Sequence, residues 1–390
     1  MSQFDINNTH LKVCSRCIYD ERVPAISFDS NGVCNYCKQV EQLTEEYGTG
    51  YSKGYNKIDA IIDAVKRAGV GNKYDCIVGV SGGTDSSYLV QFAKERGLRP
   101  LAVHYDNTWN SSVATTNIYK ILQGLDVNLY THVVANKESD DIFRSFFLAG
   151  VAEIEAATDL GYACLLRLVA AKYSVKYIFE GHSFIEEGIT PLGRNYFDGQ
   201  YIKSIHNKFG TVRLQTYPLL TFYKFLKSAI LDQVIFVRPF WYIKYSKEEA
   251  KSFLSHNYGW CYYGGHHLEN RMSAFYHSVY LPQKFGSDMR NNTLSARVRN
   301  GNMSRAEAWT EYNTPPLIED ELVSYFKKRL ELSDEQYEQV MQLPPKNWTD
   351  YPTYKKRFER LRPLFYVLAK ANLVPMSFYL KYCFPTQAPT

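Results

Sequence analysis

Two sets of residues have types and spacing that do chemistry. The first is Ser81-Gly82-Gly83-Thr84-Asp85-Ser86-Ser87. It follows an apolar, β-branched run, Cys76 to Val80, and precedes Tyr88 to Ala93, which reads as the opening of a helix. A strand, a glycine-rich turn and a helix in that order bind an anion, because the unpaired N–H groups of the helix start converge on one point. The glycines let backbone approach a phosphate, and the hydroxyls of Ser81, Thr84, Ser86 and Ser87 add donors. No lysine follows the second glycine, so this is not the G-x-x-x-x-G-K-[ST] loop. An aspartate stands inside it instead. A carboxylate among phosphate donors repels the ligand unless a cation bridges them, which makes Asp85 a Mg2+-side residue.

The second set is Cys14-x-x-Cys17 and Cys34-x-x-Cys37, with sixteen residues between the pairs. Each pair turns two thiolates toward one ion, and two pairs complete the tetrahedron of a structural zinc. A redox pair would not need the second knuckle. The other four cysteines are scattered, which is no disulfide framework.

On Ser81 to Ser87 the chain resembles the PP-loop ATP pyrophosphatases, whose S-G-G-x-D-S loop holds the pyrophosphate leaving group while a substrate oxygen takes AMP. The resemblance implies ATP as co-substrate.

Positioning such a loop takes a sheet. Apolar runs at Arg99 to Tyr105, Asn128 to Val134, Lys176 to Phe179 and Gln233 to Pro239 alternate with helical patterns at Lys57 to Ala68, Ser112 to Gly124, Ser139 to Gly150 and Cys164 to Tyr173. This alternation predicts an α/β fold with one doubly wound parallel sheet of PP-loop type, an N-terminal zinc ribbon and a C-terminal helical region. Expected boundaries are 1–45 for the ribbon, 46–240 for the ATP pyrophosphatase domain, 241–311 for a substrate-binding segment and 312–390 for the helical remainder. Ligands of open parallel sheets lie beyond the carboxyl ends of the strands. His104 and Asp106 then sit by the nucleotide, with His104 equally readable as a packed, hydrogen-bonded side chain. Gly181 would let backbone reach the phosphates, and Arg238 closes the last strand.

Tyr258 to Gly286 is dense in aromatics, glycines and hydrogen-bonding side chains, which suits a loop that grips a sugar or nucleotide. Tyr263, Gly264, Gly265, His266, His267 and Arg271 are the expected substrate contacts. A metal at His266, His267 and Glu269 is the alternative, weakened because adjacent histidines point apart. Arg238 and Lys284 are candidate cations for the α-phosphate or substrate, or plain surface charges.

The ribbon, S-G-G-T-D-S-S, Glu186-Glu187-Gly188 and the run from Tyr-Gly-Gly to Leu-Pro-Gln-Lys-Phe-Gly together resemble the N-acetyl sugar amidotransferases of surface polysaccharide synthesis, over roughly residues 10 to 311. His266, Met289, Asn291 and Asn292 depart from that family's more basic pattern and leave the exact sugar open. The resemblance implies conversion of an N-acetyl group of a UDP-linked diacetamido uronic acid to an acetamidine. It also implies ammonia from a separate glutaminase subunit like that of imidazole glycerol phosphate synthase, with its barrel partner. The cysteines agree, since Cys76, Cys164, Cys261 and Cys383 lack the small neighbours of a nucleophile elbow and residue 2 is Ser. A tRNA-thiolating enzyme and a zinc-ribbon binding scaffold are the competing readings.

The net charge of +5 is too small to imply nucleic acid by itself. Much of the excess lies between Tyr351 and Cys383, where Lys355, Lys356, Arg357, Arg360, Arg362, Lys370 and Lys381 face Glu359 alone. That is a solvated face or a docking surface for an acidic partner or a membrane. The N-terminus has no basic-then-apolar signal and no apolar run is long enough to span a bilayer, so a cytoplasmic location is expected.

Overall fold

The computed structural model of the protein describes residues 11–189, 196–264, 268–316, 318–371 and 373–385. After the cysteine knuckles come α1 (Asn35–Tyr47) and α2 (Ser52–Ala68), then β1 (Cys76–Gly79), α3 (Thr84–Glu95), β2 (Pro100–Asp106), α4 (Ser112–Gly124) and β3 (Leu129–Val133). The chain goes on through α5 (Asn136–Ala149), α6 (Ala156–Lys172), β4 (Tyr177–Phe179), α7 (Gly199–Phe209), α8 (Phe222–Ile230) and β5 (Ile235–Val237). All ladders are parallel and the order is β3-β2-β1-β4-β5. The parallel α/β sheet expected from the alternation is therefore present.

Strand side chains alternate between two cores, as the pleat requires. Ile77, Leu101, Val103 and Ile178 pack with Phe143, Phe146, Leu166 and Val169 of α5 and α6. Cys76, Val78, Ala102 and Phe179 pack on the other face with Ile58, Ile62, Leu89, Val90, Ile118 and Ile121 of α2, α3 and α4. Helices on both faces bury both sides of the central strands β1 and β2, which is why these read as apolar runs, while the edge strand β3 stays partly exposed. α5 and α6 begin earlier than the apolar periodicity suggested: the first turn of α5, Asn136 to Ser139, is polar, and α6 runs on ahead of Gly161 from Ala156.

Beyond the sheet lie α9 (Lys247–Tyr258), α10 (Arg271–Phe275), α11 (Leu281–Phe285), α12 (Arg290–Arg299) and α13 (Arg305–Asn313). The series ends with α14 (Leu322–Arg329), α15 (Asp334–Gln342), α16 (Lys355–Arg360), α17 (Arg362–Lys370) and α18 (Met376–Tyr382). The second half of the expected gripping loop is thus helical, with a π-helical turn at Tyr276–Tyr280 joining α10 to α11. The reason is spacing: Met272, Phe275, Tyr276, Val279 and Tyr280 recur at helical intervals, and all five are buried in the core of the α5–α6 face. Gly286, at φ +60°, ends the run as a left-handed cap. α8 and α16 to α18 form a satellite core around Phe225, Phe358 and Phe365. No helix among the described residues is long and apolar enough to cross a membrane.

Candidate active site

Strand order reverses between β1 and β4, the switch point beyond whose carboxyl ends open parallel sheets form their ligand crevice. The 81–87 loop forms one wall. Gly82 has φ +84°, and a Cβ on it would lie 2.2 Å from the Ala114 carbonyl oxygen, so only glycine fits. Ser86 Oγ donates to the Gly83 carbonyl and Gly83 N–H donates to Ser81 Oγ, which curls the loop around the start of α3. The Thr84 hydroxyl is fully buried and has no hydrogen-bond partner among the described residues. An orphan donor at a helix N-terminus is what a phosphate oxygen would satisfy, so the loop fits the ATP expected there.

The opposite wall follows β4. A Cβ on Gly181 would come within 3.1 Å of the Asp85 backbone, so the two connections touch. From this contact a network of charges spreads. Lys247 Nζ donates to Asp85 Oδ2 at 2.6 Å and lies 3.5 Å from Glu187 Oε1, while Tyr245 donates its hydroxyl to Asp85 Oδ1. Burial pushes the Asp85 carboxyl up, but the Lys247 ammonium and the two hydrogen bonds outweigh it and hold the carboxyl below its usual value. Burial also opposes the Lys247 charge, yet Asp85 and Glu187 raise its affinity for the proton. Arg238 Nε donates to Glu180 Oε2 at 2.8 Å and its guanidinium lies over Trp241. His182 accepts from Trp241 Nε1 at Nδ1, 3.2 Å away. Burial, then the charge of Arg238, lowers the imidazole to about 4, so the ring is neutral at pH 7.

His104 is the packed, hydrogen-bonded residue of the plainer expectation. Its Nδ1 lies 2.9 Å from the Val80 carbonyl, which only an N–H can satisfy, so Nε2 accepts from Asn110. Asp106 caps the following turn through Thr108 N–H at 2.7 Å. The segment after α9 is sewn over the loop. Trp260 Nε1 donates to the Gly82 carbonyl, Asn117 ties the same carbonyl to Cys261, and Glu269 O accepts from Ser111 N–H. The Tyr263 hydroxyl and the Glu269 carboxylate come within 3.5 Å of a Cβ built on Gly83, so both face the phosphate position. Gly264 has φ +94° and open space around it.

Other expected contacts lie elsewhere. Arg271 pairs with Glu319 at 2.8 Å and stacks on Tyr325, so it faces α14. Lys284 is buried and donates to the Val340 and Leu343 carbonyls, which closes the end of α15 and keeps it out of the crevice. Gly265, His266 and His267 lie outside the described residues.

Lys247 and Tyr245 were not singled out from the sequence. One signal was available: a lysine at the first position of a helix opposes the helix dipole and marks a charge held there by something else. Its carboxylate partner is distant in the chain, so the pairing itself needed coordinates.

The four cysteines form a separate centre. All are fully buried and their sulfurs lie within 4.8 Å of one another, with Cys14–Cys37 at 3.9 Å and Cys17–Cys34 at 3.8 Å. Tetrahedral zinc with bonds of about 2.3 Å sets sulfur–sulfur edges near 3.8 Å, so the donor set and spacing fit zinc. Arg305 donates to the carbonyls of Cys14 and Cys17, and the Arg299 guanidinium reaches Cys37 and lies over Tyr19.

Residues 269–362 match the model of the LPS biosynthesis protein WbpG-like, C-terminal domain. The chain is similar to that domain over this stretch. It begins at Glu269, the carboxylate that faces the phosphate loop, and runs through the π-helical turn and α10 to α16. Separately, an uncharacterized protein of Methanocaldococcus jannaschii is 26% identical over 171 residues, which cover 43% of this chain and 58% of that protein, less than two thirds of its length. Among solved structures, NMN synthetase from Francisella tularensis is 11% identical with a TM-score of 0.30, over 77% of this chain and 94% of that one. NH3-dependent NAD synthetase from Campylobacter jejuni is 10% identical with a TM-score of 0.31, over 75% and 98%. At scores this low the fold rests on the strand order above, not on the likeness.

Proposed function

We propose that the protein is an ATP-dependent amidotransferase that converts an N-acetyl group of a nucleotide-activated sugar, a UDP-linked diacetamido uronic acid, to an acetamidine in surface polysaccharide synthesis. The observation that carries the reading is the junction at Gly83, where the loop suited to pyrophosphate meets the first residues of the WbpG-like domain.

An amide carbon is a poor electrophile and oxide is a poor leaving group. In the proposed reaction the acetamido oxygen attacks the α-phosphorus of ATP, the bond to the β-phosphate oxygen breaks, and pyrophosphate stays against the 81–87 loop. Ammonia then adds to the carbon of the adenylated imidate, loses a proton, and AMP departs with the original amide oxygen. The loop's N–H groups and the Thr84 hydroxyl meet the charge that builds on pyrophosphate. Lys247 and Arg238 bring cations to the same crevice, each already paired with a carboxylate, so neither must be desolvated anew as charge shifts. Asp85 and Glu187 are hard oxygen donors whose oxygens keep further lone pairs, and they would hold Mg2+, which neutralises triphosphate charge when bound.

Ammonia arrives from a separate glutaminase in this proposal. Cys76, Cys164 and Cys383 are buried, and the exposed Cys261 has Lys120 and the Gly259 carbonyl as hydrogen-bond partners. Incubation with ATP, Mg2+, ammonium and the UDP-diacetamido uronic acid tests the reading. AMP release with replacement of one sugar oxygen by NH is expected. ATP turnover that needs tRNA instead, or no nucleotide binding, overturns it.

A further inference from the structure

Glu155 precedes α6 at the helix N-cap, yet its side chain makes no capping hydrogen bond. The carboxylate turns the other way, into the WbpG-like domain. Ser273 Oγ donates to Glu155 Oε1 at 2.5 Å and His277 Nε2 lies 3.8 Å from Glu155 Oε2. His277 is carried by the π-helical turn, whose i→i+5 bond runs from Leu281 N–H to the Tyr276 carbonyl. π-Turns are rare and gather at functional sites, because the wider turn re-aims side chains that a regular helix would stack.

Hydrogen bonds link this group to the residues that follow β2. One turn along α6, Thr158 Oγ1 accepts from Asn107 Nδ2, and Asn270 Nδ2 donates to both Asn107 Oδ1 and Asn110 Oδ1. Asn270 caps α10 and adjoins Glu269, the residue facing Gly83. From Asn270 to His277 is seven residues, about 10 Å at the rise of a helix. One hexopyranose with its substituents fills such a span. The sheet domain supplies Glu155, and the WbpG-like domain supplies Ser273 and His277, which is where ligand sites form between structural units. Glu155 and His277 remain partly open to solvent.

We propose that Glu155, Ser273 and His277 form the end of the acceptor site that reads the hydroxyl and amide groups of the sugar ring, with the reacting acetamido group held toward Gly83. This rests on the amidotransferase reading. The carboxylate accepts from hydroxyl or amide N–H groups, and Ser273 and the imidazole offer both donor and acceptor atoms.

The test separates the two ideas. Affinities of the full-length protein for α,β-methylene ATP and for the UDP-diacetamido uronic acid are measured by calorimetry for the wild type, His277→Ala and Glu155→Gln, with melting temperatures alongside. Expected is a loss of sugar affinity of about tenfold or more in each variant, with analogue affinity unchanged. A tie that merely joined α6 to α10 would lower the melting temperature and leave sugar affinity alone, which overturns the proposal. So does a wild type that binds the analogue but no sugar. If the wild type binds the sugar through these residues yet releases no AMP with ammonium, the amidotransferase reading falls and the subsite stands.

Discussion

Asp85 spends both carboxylate oxygens on partners more than 150 positions away, Tyr245 and Lys247. Because Lys247 and its neighbours outweigh burial, the folded carboxyl titrates below the ordinary aspartate value of about 3.9. As pH falls, the unfolded chain therefore takes up the proton first. The stabilisation is whole above about pH 5, shrinks as pH drops through the unfolded value and is gone below the folded one. Lys247→Met leaves the carboxylate buried without its cation, and a loss of about 3 kcal/mol is expected at pH 7 in denaturant unfolding. The gap from wild type should close as the unfolding series is carried to acid. The two loop glycines separate space from backbone. Gly82→Ala collides with Ala114 in a left-handed conformation and is expected to cost about 2 kcal/mol or more of stability. Gly83→Ala needs only that the Ser81 and Tyr263 hydroxyls, each 3.2 Å from its Cβ, give by a few tenths of an ångström, so it should lose less stability than Gly82→Ala yet bind α,β-methylene ATP about tenfold less tightly, its methyl standing where a phosphate approaches.

At the scale of elements, the loop and the cysteine pairs were legible because each is a local pattern whose chemistry is complete within a few residues. The sheet was legible too, since strands covered on both faces read as apolar runs. The helix of 271–285 was hidden by its aromatics, which suggested ligand stacking although their spacing was that of a buried helix face. Lys284 misled for a related reason: a cation near a conspicuous motif reads as a ligand contact, but α15 comes much later in the chain, and its carbonyls claim the ammonium. Pairings such as Lys247 with Asp85, or Glu155 with Ser273, join separate elements and leave no mark on either stretch alone. For the ribbon, one zinc per chain is expected by elemental analysis. Cys34→Ser should lose the metal and open residues 11–50 to protease while the sheet stays protected.

For the whole molecule, the proposed division of labour has a direct consequence. Turnover should rise with ammonium and not with glutamine when the chain is alone, and addition of a glutaminase of the imidazole glycerol phosphate synthase type should restore glutamine use. Cys261→Ser should retain ammonium-dependent activity within about twofold, as expected of a cysteine with no nucleophilic role. Glutamine hydrolysis by the isolated chain would remove the need for a partner.

The turn at Glu187-Gly188 lies between the two centres. Asn292 accepts from the Tyr19 hydroxyl of the ribbon and donates to the Glu187 carbonyl, and Gly188 leaves no room for a Cβ between Asn292 and Arg299. Glu187 then reaches Lys247 and, through it, Asp85. Stripping the zinc with a chelator should therefore weaken α,β-methylene ATP binding before the sheet unfolds, measured by titration against the reloaded protein. In the proposed scheme the metal farthest from the reaction would set the order of assembly. A newly made chain would complete its nucleotide crevice only once zinc had arrived, so metal supply would act as a quality gate on when it could begin to consume ATP.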